Sequence, residues 1–318
     1  MDLIFTNSES EDQGVLTTHS FDLSYGAAEN DFELTIGANE PTLETGACIF
    51  IEGTEYGGMI GGIKVSTYGE TITYKGRTWH GIMNSKVIEP ENGEDYFTVS
   101  GDANEVLSVL IARMGLSELF VATENPSGVN ISDYKFHRYC KGYDGVADML
   151  ADNGGKLKIA WKDRAVHLSA EPIADYTESP VDGDIATLTV EQNKDKVNHL
   201  ICLGKGDLAE REVIHLYVDQ FGRIGDVQYY TGLDEIADTY DNSNSDDLRS
   251  DGIKHFTELR NIDRAEISLS ETEGLTYDIG DIVGAKEYKS GVSVSAAVTQ
   301  KIVKINNGVV STEYKTSG

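Results

Sequence analysis

Apolar and polar residues alternate along most of the first hundred positions. Phe21-Asp22-Leu23-Ser24-Tyr25 and Phe32-Glu33-Leu34-Thr35-Ile36 each send every second side chain to one face, the period of a half-buried strand. Gly57-Gly58 and Gly61-Gly62 flank Met59-Ile60 ahead of Ile63-Lys64-Val65. Glycine at that density in strand sequence marks bulges and sharp bends. Residues 71–101 then read as an alternating strand, a bend carrying Trp79 between Gly76 and Gly81, a break at Pro90 and a second alternating strand. A small antiparallel barrel or sandwich is the expected product over residues 1–101.

The period changes at residue 102. Asp102 is placed to cap a helix, with Glu105 three positions on, and Val106, Leu107, Val109, Leu110 and Met114 supply its apolar face before Gly115. A second short helix is predicted over residues 145–151, and a hairpin over 156–169 turns at Lys162-Asp163-Arg164. Residues 102–171 therefore form an α+β module beside or within the first β module. The acidic stretch 172–195 reads as linker and returning strand. Residues 196–230 and 262–318 read as a second β module, closed by a hairpin at Asn306-Asn307-Gly308. Between them, 231–261 reads as an acidic helical insertion with Leu248, Phe256 and Leu259 on its apolar face. The fold class is mainly β with α+β insertions.

Charge narrows the function classes. The chain has 318 residues and a net charge of −28, and such a surface repels phosphate backbones and anionic membranes. Neither sequence-specific nucleic-acid binding nor stable membrane association is expected. Cys48, Cys140 and Cys202 are three, far apart, and without a C-x-x-C pair, so no disulfide framework is expected. Residues 1–5 lack a basic, then apolar, leader pattern, and no apolar run approaches the ~20 residues of a membrane span. Synthesis in a reducing cytoplasm is the expectation.

Motifs for chemistry are missing. There is no Gly-x-Ser-x-Gly elbow and no phosphate loop; Gly204-Lys205-Gly206 lies between strand-like segments. His199 and Cys202 are three apart on a strand and face opposite sides, so they do not make a metal pair. Asp241, Asp246, Asp247 and Asp251 lack the order of a calcium loop. Glu271/Glu273 and Asp278/Asp281 are imaginable glycosidase pairs, but among 54 acids such pairs arise by chance. Trp79 and Trp161 sit in strand-forming sequence, where packing competes with sugar stacking. No catalytic residue, metal ligand or cofactor is assigned.

Several blocks resemble the tail-hub proteins of long-tailed phages and prophages. They are Asn30-Asp31-Phe32-Glu33-Leu34, Glu55-Tyr56-Gly57-Gly58-Met59-Ile60, Gly76-Arg77-Thr78-Trp79-His80-Gly81, Val87-Ile88-Glu89-Pro90, residues 198–204, residues 213–217 and residues 281–285. The resemblance implies two tube-like antiparallel β-barrels, each with a peripheral α-containing module, commonly assembled as a homotrimer. It implies a baseplate or tail-tip hub in the virion, through which DNA passes and on which tail-tube and distal tail proteins assemble. Arg77 and Trp79 become candidates for a barrel corner or subunit contact. Two other readings remain beside it: a tail-associated cell-wall hydrolase, endopeptidase or glycosidase, using surface carboxylates, and a carbohydrate-binding tail module using its tryptophans.

Overall fold

The computed structural model of the chain describes residues 1–65, 70–177, 181–182, 186–189, 196–219, 223–245, 247–260, 266–270, 276–286 and 293–317. Two compact units result. The first takes Met1–Pro180, Ser268–Val283 and Ala297–Lys315; the second takes Val181–Ile267, Gly284–Ala296 and Thr316–Gly318.

The chain opens with β1 (Leu3–Thr6), β2 (Asp12–Leu16), β3 (His19–Gly26), β4 (Asp31–Gly37), β5 (Cys48–Phe50), β6 (Gly57–Val65) and β7 (Thr71–Thr78). Next come α1 (Trp79–Asn84), β8 (Val87–Ile88), β9 (Thr98–Asp102), α2 (Ala103–Arg113), β10 (Phe120–Ala122), β11 (Asn130–Lys135) and β12 (Cys140–Lys141). Then follow α3 (Gly142–Asp152), β13 (Gly155–Lys162), β14 (Ala165–Pro172), β15 (Val181–Asp182), β16 (Ala186–Thr189), β17 (His199–Leu203) and β18 (Val213–Val218). The remaining elements are β19 (Ile224–Gly225), β20 (Ala237–Asp241), α4 (Leu248–Arg260), β21 (Glu266–Ser270), β22 (Ile282–Lys286), β23 (Ser293–Asn306) and β24 (Val309–Ser317).

In the first unit the strands run β24-β23-β3-β4-β7-β6-β5-β1-β2, antiparallel at every pair from β23 to β2. The alternation in β3 and β4 is realised: Phe21, Leu23, Tyr25, Phe32, Leu34 and Ile36 are all buried. One core joins Leu3, Phe5 and Leu16 from one end of the sheet to Val303 and Ile305 from the other. The sheet curls until its ends share that core, but no closed sheet occurs among the described residues. On its outer side β24 pairs with β21, not with β2. The mainly β character expected from the sequence is realised in this sheet.

The C-terminal strands divide between the units. Residues 262–318 were expected in the second β module, yet Ala297–Lys315 belongs to the first unit and β23 pairs with β3, Lys304 opposite Asp22. That pairing lets Val303 and Ile305 enter the first core. The 102–171 module lies within the first unit. Its α2 and α3 residues Val106, Leu110, Val146 and Leu150 share one core with Phe50, Trp79 and Met83. Its helix α3 starts three residues earlier than predicted and ends one later, and the predicted hairpin forms as β13–β14 with β10 parallel to β14. Positive φ at Asp163 and Arg164, and at Asn307 and Gly308, gives both tight hairpin turns the backbone twist their strands need.

The second unit contains a four-stranded sheet, β19-β18-β17-β20. One face carries Leu200, Cys202, Leu216 and Val218 against Leu248 and Phe256 of α4. Gly252 makes the close approach possible, since a Cβ there would sit 2.4 Å from the Cys202 sulfur. The segment 231–261 is not only helical: its residues 237–241 form β20, parallel to β17.

Candidate functional site

Arg77 and Trp79, the residues singled out in the sequence, lie on either side of a strand-to-helix turn. Trp79 is not on a strand; it is the first residue of α1, which Thr78 caps by accepting from the Gly81 N–H at 3.2 Å. Thr78 N–H donates to the Asn30 carbonyl, and a Cβ on Gly81 would stand 1.9 Å from that same oxygen. Only glycine lets α1 sit that close. A Cβ on Gly76 would meet the Met59 carbonyl at 2.1 Å and the Phe32 ring at 2.5 Å. The two glycines of the motif are steric requirements of this corner.

From the corner the two side chains diverge. Arg77 is exposed on β7, opposite Asp31 and Met59. Trp79 is fully buried and stacks on Trp161, which stacks on Phe50 with ring centroids 4.3 Å apart. Neither indole reaches solvent, so neither can stack on a sugar ring.

Behind the corner lies a cluster of charge. Lys301 Nζ is 2.6 Å from Glu55 Oε1 and 3.4 Å from Asp278 Oδ1. Lys156 Nζ is 2.8 Å from Asp278 Oδ2 and 2.7 Å from Asp281 Oδ1, and Lys158 also reaches Asp278 at 2.8 Å. Asp281 further accepts the Ala174 and Asp278 N–H groups. Three lysines face three carboxylates. Although burial alone would raise them, Lys301 and its neighbours hold Glu55 and Asp278 below the usual carboxylate range. Burial would lower Lys301 and Lys156, but the facing carboxylates hold both above the usual lysine value.

This cluster answers one of the hydrolase pairs. Asp278 is ion-paired to Lys156, Lys158 and Lys301, and Asp281 is ion-paired to Lys156 and accepts two backbone N–H groups, so charge pairing within the fold occupies both carboxylates. Glu271 and Glu273 lie outside the described residues. Beside the cluster, His80 stacks on Tyr25 at 4.5 Å and meets the edge of Tyr143. Burial pushes His80 down to about 4, with the Glu55 charge opposing and Lys301 assisting. It is a neutral core histidine.

In the second unit His199 and Cys202 do face opposite sides of β17. Cys202 packs toward α4, while His199 Nδ1 is 2.6 Å from Glu235 Oε1 and its Nε2 is 2.8 Å from His215 Nδ1. Glu235 and His215 thus engage the two ring nitrogens of His199 from opposite ends. Among the described residues no group of three or more potential metal ligands gathers here. Asp241 pairs with Arg211, and Asp251 accepts from Ser245 and Asn242. Asp246 lies outside the described residues. Sequence reasoning missed Glu235 and Lys301 as partners, because nothing local marks pairs so far apart along the chain.

No protein-family model and no curated protein matches the sequence. Solved structures do match, end to end. A tail protein from Neisseria meningitidis is 13% identical, with 100% of this chain and 96% of that one covered and a TM-score of 0.55. The 43 kDa tail protein of prophage MuSo2 from Shewanella oneidensis is 10% identical, covering 99% and 98%, with a TM-score of 0.58. The prophage tail protein gp18 from Listeria monocytogenes is 12% identical, covering 100% and 94%, with a TM-score of 0.57.

Proposed function

Because this chain has the fold of the phage tail proteins, we propose that it is a structural component of a phage or prophage tail. In this reading it forms the hub ring at the distal end of the tail tube, as a homotrimer, with the tube on one side and distal tail or baseplate proteins on the other. DNA passes through the ring. The observation that carries the reading is the end-to-end fold match, which leaves almost no part of this chain or of the matched chains unaccounted for.

Three further features support it. Closed rotational symmetry is the usual way for one chain to build a collar. A net charge of −28 keeps a DNA-conducting lumen from adhering to its cargo. Arg77 is exposed beside a corner that glycine makes rigid, where a subunit contact gains from preorganisation.

Light scattering coupled to size exclusion, followed by negative-stain imaging, tests the reading. A trimer with an axial opening is expected, and antibody against the chain should label the distal end of purified tails. A particle that stays monomeric when mixed with its tail-tube protein, and tails without label, would overturn it.

A further inference from the structure

The loop over residues 226–236 displays apolar side chains that its own unit does not cover. Val227 is 80% exposed, Tyr229 52% and Leu233 104%. Such exposure is ordinary in a loose loop, but this one is fastened at both ends. The Asp226 carboxylate takes both terminal nitrogens of the Arg249 guanidinium. At the other end Asn198 donates to the Asp234 carbonyl at 2.7 Å and accepts from the Ile236 N–H at 3.0 Å. Glu235 is held by His199 next to it. The display is built, and a partner meeting it would not have to order it first.

Two observations say what kind of partner fits. From Ile224 to Leu248 the chain carries Asp226, Asp234, Glu235, Asp238, Asp241, Asp246 and Asp247 and not a single Lys or Arg. Asp234 and Asp238 stand exposed next to the apolar side chains. A second copy of this loop would bring the same acids against them, and like charges opposed across an interface are costly. The loop also leads straight into β20, which pairs with β17 on one side and whose other edge is open among the described residues. Short, acid-bearing edges discourage pairing with one another, yet a strand carrying lysine or arginine is accepted there.

We propose that loop 226–236 and the open edge of β20 form a docking surface for a basic, apolar-bearing segment of a different protein of the tail. This rests on the tail reading above. The recognition is mixed: Val227 and Leu233 enter an apolar socket, and the carboxylates meet a cationic rim.

The test places a photo-crosslinking amino acid at Leu233 of the full chain, incorporated into assembled tails. Irradiation should join it to another tail protein, and mass spectrometry should place the linked peptide in a stretch rich in Lys or Arg. The Val227→Ser, Leu233→Ser double variant should keep its melting temperature, because both side chains are exposed, while the amount of that partner bound to the chain drops at least about tenfold. Crosslinks only between copies of this chain, or to an acidic peptide, would overturn the proposal. So would a chain present in tails without any crosslink. A chain absent from tails would remove the tail reading and this surface together.

Discussion

Lys301 and Glu55 meet at 2.6 Å across 246 residues of sequence, and both belong to the ionic cluster that ties β23 to the loop before β6. Lys301 is 5% exposed in its side chain. Removing one partner of such a pair leaves a buried charge without compensation. Lys301→Met is expected to destabilise the protein by about 3–5 kcal/mol. Adding Glu55→Gln should recover part of that loss. Urea denaturation of the single and double variants checks the expectation; additive losses would show the pair is not coupled.

Buried His80 makes acid a stress on the folded chain. Its folded value is about 4, below the ~6.5 of an unfolded histidine, so protons bind the unfolded chain first. The contribution of neutral His80 is whole above pH ~6.5 and is lost as pH falls toward 4, by roughly 3 kcal/mol in total. His19 is also held down by burial and adds to the loss, whereas burial raises Asp148 and Asp152 and opposes it. The difference between wild type and His80→Phe isolates the term. Stability of the variant should fall less between pH 6.5 and 4.5; parallel curves would refute the assignment.

The two residues of the corner should separate by assay. Trp79→Ala empties a fully buried ring site and should cost about 3–5 kcal/mol in stability. Arg77→Ala removes an exposed side chain and should change stability by no more than about 0.5 kcal/mol. If Arg77 contributes to the proposed subunit contact, the variant lowers the trimer fraction in light scattering at unchanged melting temperature. An unaltered trimer fraction would remove Arg77 from the interface.

Helices α2 and α3 offer a matched pair of caps. Asp102 accepts from the Asn104 N–H at 2.9 Å and from the backbone and hydroxyl of Ser127. Asp102→Ala should cost about 1–2 kcal/mol. Lys141, at the equivalent position of α3, makes no side-chain capping bond. Lys141→Ser should stabilise by up to about 1 kcal/mol. Thermal melts of both variants read the signs directly.

Local chemistry is what the sequence announces well. The alternation at Phe21–Tyr25 and Phe32–Ile36, the Asp102 cap, the turn at Asn307-Gly308 and the apolar face of α4 all formed where their patterns put them. Each depends on neighbours within a few residues, and side-chain period or backbone φ decides it. The sequence puts Trp79 at a bend in strand-forming residues; the Thr78 cap and the close fit of Gly81 on Asn30 make that bend the start of a helix.

By itself, then, the sequence determined the mainly β character, the hairpins and the acidity, because all are written in residue type and spacing. Tertiary structure alone decided that β23 returns to β3 and that Trp79 stacks on Trp161. It alone brought Lys156, Lys158 and Lys301 to Glu55, Asp278 and Asp281. Those outcomes turn on which apolar strand face finds a core to fill and which distant charges are buried together. Period and propensity carry no record of either.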